Sequence, residues 1–123
     1  MLTLPSSVHI WMSAQPVDLR RGVDGLMALV RSQWESDPYS GHLFVFVSRG
    51  RNRVKILFWD RGGFVVYYKR LEQGTFQLPR VEPGQNRVEL DPAELGLILE
   101  GIDLSAAIHR KRYRRPNKYV PEN

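Results

Sequence analysis

The 123-residue chain contains no cysteine. That excludes disulfides, thiolate catalysis and cysteine-ligated zinc, and it is compatible with a reducing cytoplasm. No apolar run approaches the roughly 18 residues needed to span a bilayer, so no membrane association is expected. The opening stretch "MLTLPSSVHIWMSAQP" has no basic n-region, and no signal peptide is read there. Histidine is scarce: His9, His42 and His109 are scattered, with no HxxxH spacing. There is no P-loop, no GxGxxG and no nucleophile elbow. The carboxylates Asp18, Asp24, Asp60, Glu72 and Asp91 could in principle assemble a two-metal nuclease site, but nothing in their spacing calls for one, and Asp has structural work at caps and turns. The expectation is therefore no metal, no cofactor and no catalysis, with a small metal-dependent nuclease as a minor alternative.

Acids are also missing locally, and this shapes the charge pattern. The formal net charge is +5. Residues 1–108 hold 12 Lys+Arg against 12 Asp+Glu, whereas "HRKRYRRPNK" (109–118) holds 6 bases and no acid. The body is itself polarised. From Arg49 to Arg70 there are 7 bases against Asp60 alone, and from Glu82 to Asp103 there are 6 acids against Arg87 alone. Such asymmetry argues about partners more than about fold.

Hydrophobic periodicity supplies the elements. A short apolar run, Val8–Met12, reads as a first strand closed by "SAQP". Asp18 is a candidate N-cap for a helix over 19–35, whose apolar stripe is Leu19, Val23, Leu26, Val30 and Trp34. Gly22 and Gly25 cost that helix about 1 kcal/mol each, unless they admit a second backbone at close range. "HLFVFV" (42–47), "RVKILFW" (53–59) and "FVVYYK" (64–69) are rich in β-branched and aromatic residues, and Gly-containing links of hairpin length join them. An antiparallel meander follows. Its middle strand turns Val54, Ile56 and Phe58 one way and Lys55, Leu57 and Trp59 the other. "EQGTFQLPR" is read as a short strand ending before Pro79, and "NRVEL" (86–90) as another. In "DPAELGLILEG", Asp91 at the N-cap, Pro92 at N1 and Glu94 at N3 form an Asp version of the capping box. Leu95, Ile98, Leu99 and Ile102 are its buried stripe and Gly101 its C-cap. The expected class is α+β: an antiparallel meander with two main helices packed on one face. Residues 1–108 are read as one domain and 109–123 as a basic, flexible tail.

Three basic features bear on function. In the tail, Arg110, Lys111, Arg112, Arg114 and Arg115 surround Tyr113, a composition suited to phosphates and to stacking on an unpaired base; it equally describes a solvated tail that aids solubility. Arg49, Arg51 and Arg53 alternate through one hairpin tip, which would either contact a nucleic-acid backbone or be a solvated turn. Lys55, Arg61, Lys69 and Arg70 extend this basic run, and alternation puts Arg53 and Lys55 beside Leu57 and Trp59 on one sheet face. In "DLRRG" (18–22), Asp18 is read as a cap, with Arg20 and Arg21 available to Glu35 or Asp37.

The blocks "DLRRGVDGLMALV" (18–30), "DPYSGHLFVFVSRGRNRVKILFWDRGGFVVYYKRLEQGTFQLP" (37–79) and "ELGLILEGID" (94–103) resemble the small accessory protein of insertion sequence family sixty-six. That protein is the element's second open reading frame, Orf2, also called TnpB and distinct from the RNA-guided nuclease of that name. The resemblance covers about residues 5–105. It implies a transposition protein encoded beside a separate transposase, and it brings no defined catalytic site. Motif positions include Asp18, Arg20, Arg21, Gly22, Asp24, Gly25, Trp59, Asp60 and Glu72, none with an implied role. The resulting expectation is a cytoplasmic, non-catalytic DNA-binding factor acting at element ends beside the transposase. The alternative is a protein-interaction module that docks the transposase or self-associates as a homo-oligomer.

Overall fold

The apolar segments pair into one sheet whose central strand is covered on both sides. A computed structural model describes Pro5 and residues 7–100. Its elements are β1 (Ile10–Ser13), α1 (Val23–Trp34), a 3-10 turn (Pro38–Ser40), β2 (Leu43–Val47), β3 (Arg53–Asp60), β4 (Gly63–Arg70), β5 (Arg87–Leu90) and α2 (Pro92–Glu100). The strand order is β4-β3-β2-β1-β5. β2, β3 and β4 form the expected antiparallel meander. β1, however, pairs parallel to β2 and antiparallel to β5, so the sheet is mixed. A parallel neighbour needs a crossover connection, and α1 provides it.

The α+β class holds, but the two helices do not share a face. Leu26, Met27, Val30 and Trp34 of α1 pack with Phe44, Phe46 and Leu57. Leu95, Ile98 and Leu99 of α2 pack with Ile10, Met12, Val45, Val47, Val54 and Ile56. Strand alternation sends these two sets to opposite sides of the sheet. β2 lies in the middle and is buried along its whole length. It reads as a continuous apolar run because neither of its faces meets water. The alternation expected for β3 is present: Val54, Ile56 and Phe58 lie under α2, with Leu57 under α1.

Local chemistry explains where the helices begin. Asp18 does not cap α1. Its Oδ1 accepts the Arg20 backbone N–H at 3.0 Å, an Asx-type turn that holds 18–21 out of the helix. The N-cap is Gly22, in extended backbone and without a side-chain bond, so Leu19 enters the core from a loop. Gly22 and Gly25 do not admit a second backbone: a Cβ at Gly22 would meet nothing, and one at Gly25 would meet the Arg21 side chain. α1 closes with Glu35 in the left-handed region, as the Glu35 and Ser36 N–H groups both donate to Val30 O. For α2 the capping box forms as expected: Glu94 N–H donates to Asp91 Oδ1 at 2.7 Å and Asp91 N–H to Glu94 Oε1 at 3.0 Å. Gly101 and Ile102 lie outside the described residues.

The strand expected in "EQGTFQLPR" does not form. Gly74 takes a positive φ of 79°, and the segment bonds to a loop instead of a strand. Leu71 N–H donates to Asn52 O, Phe76 N–H donates to Arg51 O, and Phe76 itself is only 1% exposed. Burying that ring contributes about 1.5–3 kcal/mol, and the two backbone bonds to the loop stand in for sheet pairing.

Candidate nucleic-acid interface

The β2–β3 connection forms a rigid end to the sheet. Ser48 N–H donates to Arg53 O at 3.0 Å, and Arg53 N–H donates to Ser48 Oγ at 3.1 Å. Arg51 has a φ of 58°, a left-handed conformation costing a residue with a Cβ about 1–2 kcal/mol. Its N–H donates to Ser48 O, and its carbonyl accepts from Phe76. The tip is thus clamped from behind by a buried aromatic, which fixes the loop that carries Arg49, Arg51 and Arg53.

The β1–α1 loop joins this end. Val17 N–H donates to Val47 O, and Lys55 Nζ donates to Arg21 O at 3.0 Å. Between the loop and the hairpin lies a recess of about 700 Å³ lined by Leu19, Arg20, Arg49, Asn52, Arg53, Lys55 and Tyr68, with Asp18 among its walls. Lys55 and Tyr68 are directly paired across β3 and β4, and the ammonium lies 5.7 Å from the ring centroid. That is within the range of a cation–π contact. Asp18 does not cancel the local positive charge, because Arg20 grips both its oxygens, with Nη2 to Oδ2 at 2.7 Å. The guanidinium hydrogen bonds hold the Asp18 carboxyl well below the usual carboxylate range. Arg20 is raised in turn. Arg20 therefore pairs with Asp18, not with Glu35 or Asp37. Among the described residues, no carboxylate forms an ion pair with Arg49, Arg51, Arg53 or Lys55.

The remaining members of the basic run separate. Arg70 is opposite Arg53 in the register, and Glu72 Oε1 accepts from its guanidinium at 3.0 Å. That relieves the repulsion of like charges placed face to face. Lys69 projects to the α2 side, where its Nζ donates to Leu99 O at 2.8 Å. There it meets a carbonyl in the last described turn of α2. Arg61 sits in the two-residue β3–β4 turn with Gly62; both have positive φ, as a type I′ hairpin requires. At about 3.3 Å per residue, the eight steps along β3 and into the turn set Arg61 about 26 Å from Arg53. Arg49 to Arg70 is thus not one basic face. Arg49, Arg53 and Lys55 converge on the recess, while Lys69 and Arg61 are held elsewhere. Arg110, Lys111, Arg112, Arg114 and Arg115 lie outside the described residues.

Two features were not legible in the sequence. The parallel β1–β2 pairing brings together His9 and His42, whose rings meet edge-on at 5.0 Å. His9 N–H donates to His42 Nδ1 at 2.9 Å, and the His9 ring bonds Glu89 at 2.5 Å. Burial, with the neighbouring His9, lowers the His42 pKa from its ordinary 6.5. Pairing of residues 33 apart across a crossover leaves no local signal. The second feature is an apolar groove of about 750 Å³ between α2 and the outer strands, lined by Leu43, Ile56, Phe58, Val65, Tyr67 and Leu99. Of the five candidate nuclease carboxylates, three are engaged separately: Asp18 by Arg20, Glu72 by Arg70, and Asp91 by the start of α2.

The model of the IS66 Orf2-like proteins matches residues 8–109, spanning the sheet, both helices and the recess. The chain belongs to that family. It is 39% identical over 111 residues to the uncharacterized protein y4jC of Sinorhizobium fredii, covering 90% of this chain and 92% of the relative. It is 32% identical over 118 residues to the uncharacterized protein y4hO of the same organism, covering 96% and 98%. No solved structure matches the chain. Membership in the IS66 Orf2-like family makes this an insertion-sequence protein of the accessory kind, as the sequence blocks imply. Among the described residues no helix is long and apolar enough to cross a membrane.

Proposed function

We propose that this accessory protein is a non-catalytic, cytoplasmic DNA-binding factor that works at element ends beside the transposase. The observation that supports it is the convergence of Arg49, Arg53 and Lys55 on one recess, with no paired carboxylate among the described residues. Arginine and lysine bind phosphates and release condensed counterions, so affinity should fall with salt at a log–log slope of about −0.9 per phosphate. Three cations give a slope of at least about −2.7. Arg51 on the same clamped loop adds to the contact, and the tail cations Arg110, Lys111, Arg112, Arg114 and Arg115 would add more. A gel shift of the pure protein on element-end and random DNA at two salt concentrations tests this. Absence of a complex with either DNA at low salt rejects it. Incubation with plasmid and Mg²⁺ or Mn²⁺ should leave the DNA uncut.

A second reading rests on a separate surface. β4 is an edge strand, and Val65 and Tyr67 beside the apolar groove are 39% and 41% exposed. An edge left uncovered among the described residues, with apolar side chains, suits docking of another protein, whether the transposase or a second copy of this chain. Co-purification with the transposase that survives nuclease treatment, and is lost in Tyr67→Lys, would favour it.

A further inference from the structure

The recess has a shape that phosphate binding alone does not require. Duplex DNA presents a convex backbone, which cations on a ridge can reach. Here the cations instead line a cavity of about 700 Å³, within the range of small-ligand sites. Inside it stands Tyr68, 51% exposed. Lys55 covers one face of this ring. Since β4 is the edge of the described sheet, no strand among the described residues covers the other side. Leu19 supplies an apolar wall and Asn52 an amide with both donor and acceptor capacity. An aromatic platform, an apolar wall, an amide and adjacent arginines together match a nucleotide whose base has left the stack.

We propose that the recess holds one unpaired nucleotide of single-stranded DNA, with the base stacked on Tyr68 and its phosphates on Arg49 and Arg53. This rests on the reading of that end of the sheet as a DNA-binding surface, and it specifies the form of DNA: single strands or frayed ends in preference to closed duplex. Asp18 does not repel the ligand because Arg20 already neutralises it. The clamp on Arg51 keeps the recess formed before DNA arrives, so little ordering is required on binding.

The test uses the full chain and fluorescence polarisation with a labelled single strand, its blunt duplex, and the duplex with a single-stranded tail, at one salt concentration. Stacking of one base predicts that the single strand and the tailed duplex bind at least about fivefold more tightly than the blunt duplex. Tyr68→Ala should weaken single-strand binding by about fivefold to a hundredfold and blunt-duplex binding by clearly less. Tyr68→Phe should retain the preference, and Tyr68→Leu, which suits a strand but offers no π face, should lose it. Equal affinity of the wild-type protein for single strand and duplex overturns the inference and leaves the DNA-binding reading standing. So does a single-strand preference that survives Tyr68→Leu. Failure of all three DNAs to bind overturns the DNA-binding reading itself.

Discussion

The two faces of the sheet are built from the same strands and do different work. Under α1 the core is aromatic: Trp34 stacks on Phe46 at 5.2 Å with rings 5° from parallel, and Phe44 lies 5.8 Å away. The indole N–H donates to Asn86 O at 3.2 Å, so the large ring is buried without an orphan donor. Under α2 the core is mostly aliphatic, with Phe76 added from the loop after β4. The faces diverge further at their margins. Beyond α1 the strands of its face carry Arg53, Lys55 and Tyr68 into the polar recess. Beyond the nine residues of α2 its face runs into an apolar groove. One-residue alternation is what separates a surface for anions from a surface for apolar groups.

The comparison can be broken first in the core. Phe46→Ala should cost about 3–5 kcal/mol and Ile56→Ala about 2–5 kcal/mol, both read as urea midpoints with unchanged m-values. A loss below about 1 kcal/mol for either would mean that its helix does not pack on that face. The next test sets cation against cation. Replacing Arg49, Arg53 and Lys55 together with Ala should reduce DNA affinity at low salt by about tenfold or more. It should also make the salt slope shallower by about 2.7. Lys69→Ala should leave DNA affinity intact and lower stability by about 0.5–1.5 kcal/mol, since its ammonium bonds a carbonyl of α2. An equal loss of DNA binding in both variants would restore a single basic face.

Smaller effects sharpen the picture. Asp91→Ala removes half the capping box and should cost about 1 kcal/mol, measured by thermal or urea unfolding, without affecting DNA binding. At the β1–β2 junction, folding depresses the pKa of His42. The unfolded chain therefore binds more protons in the window between that depressed value and 6.5, and stability should fall as pH drops through it. His42→Asn offers His9 N–H an amide oxygen that does not titrate. Its melting temperature should fall less steeply than that of the wild-type protein between pH 7 and 5. Parallel pH profiles would remove His42 as the cause.

Much of the fold was readable because its signals are local. The capping box at Asp91 and Glu94, the period-two run from Val54 to Trp59 and the Gly-containing hairpin turns each involve residues a few positions apart. Asp18 misled for the same reason: an Asx turn and an N-cap use one side-chain chemistry, and only the extended Gly22 told them apart. In "EQGTFQLPR" the β-propensity was outweighed by the burial of Phe76 against a neighbouring loop. At the site, the sequence singled out Arg49, Arg53 and Lys55 as cations but could not add Arg20, Leu19 and Tyr68, which reach the recess from other elements. It also grouped Lys69 with them, although alternation on β4 turns that residue to the other side.

By itself, then, the sequence determined the strands of the meander, the start of α2, the neutral body and the family. All of these depend on residue type and short spacing. Tertiary structure alone decided that β1 lies parallel to β2, that the helices take opposite faces, and which cations converge. Those outcomes depend on long-range pairing, where each strand's neighbour sets which side of the sheet a side chain occupies and what it meets there.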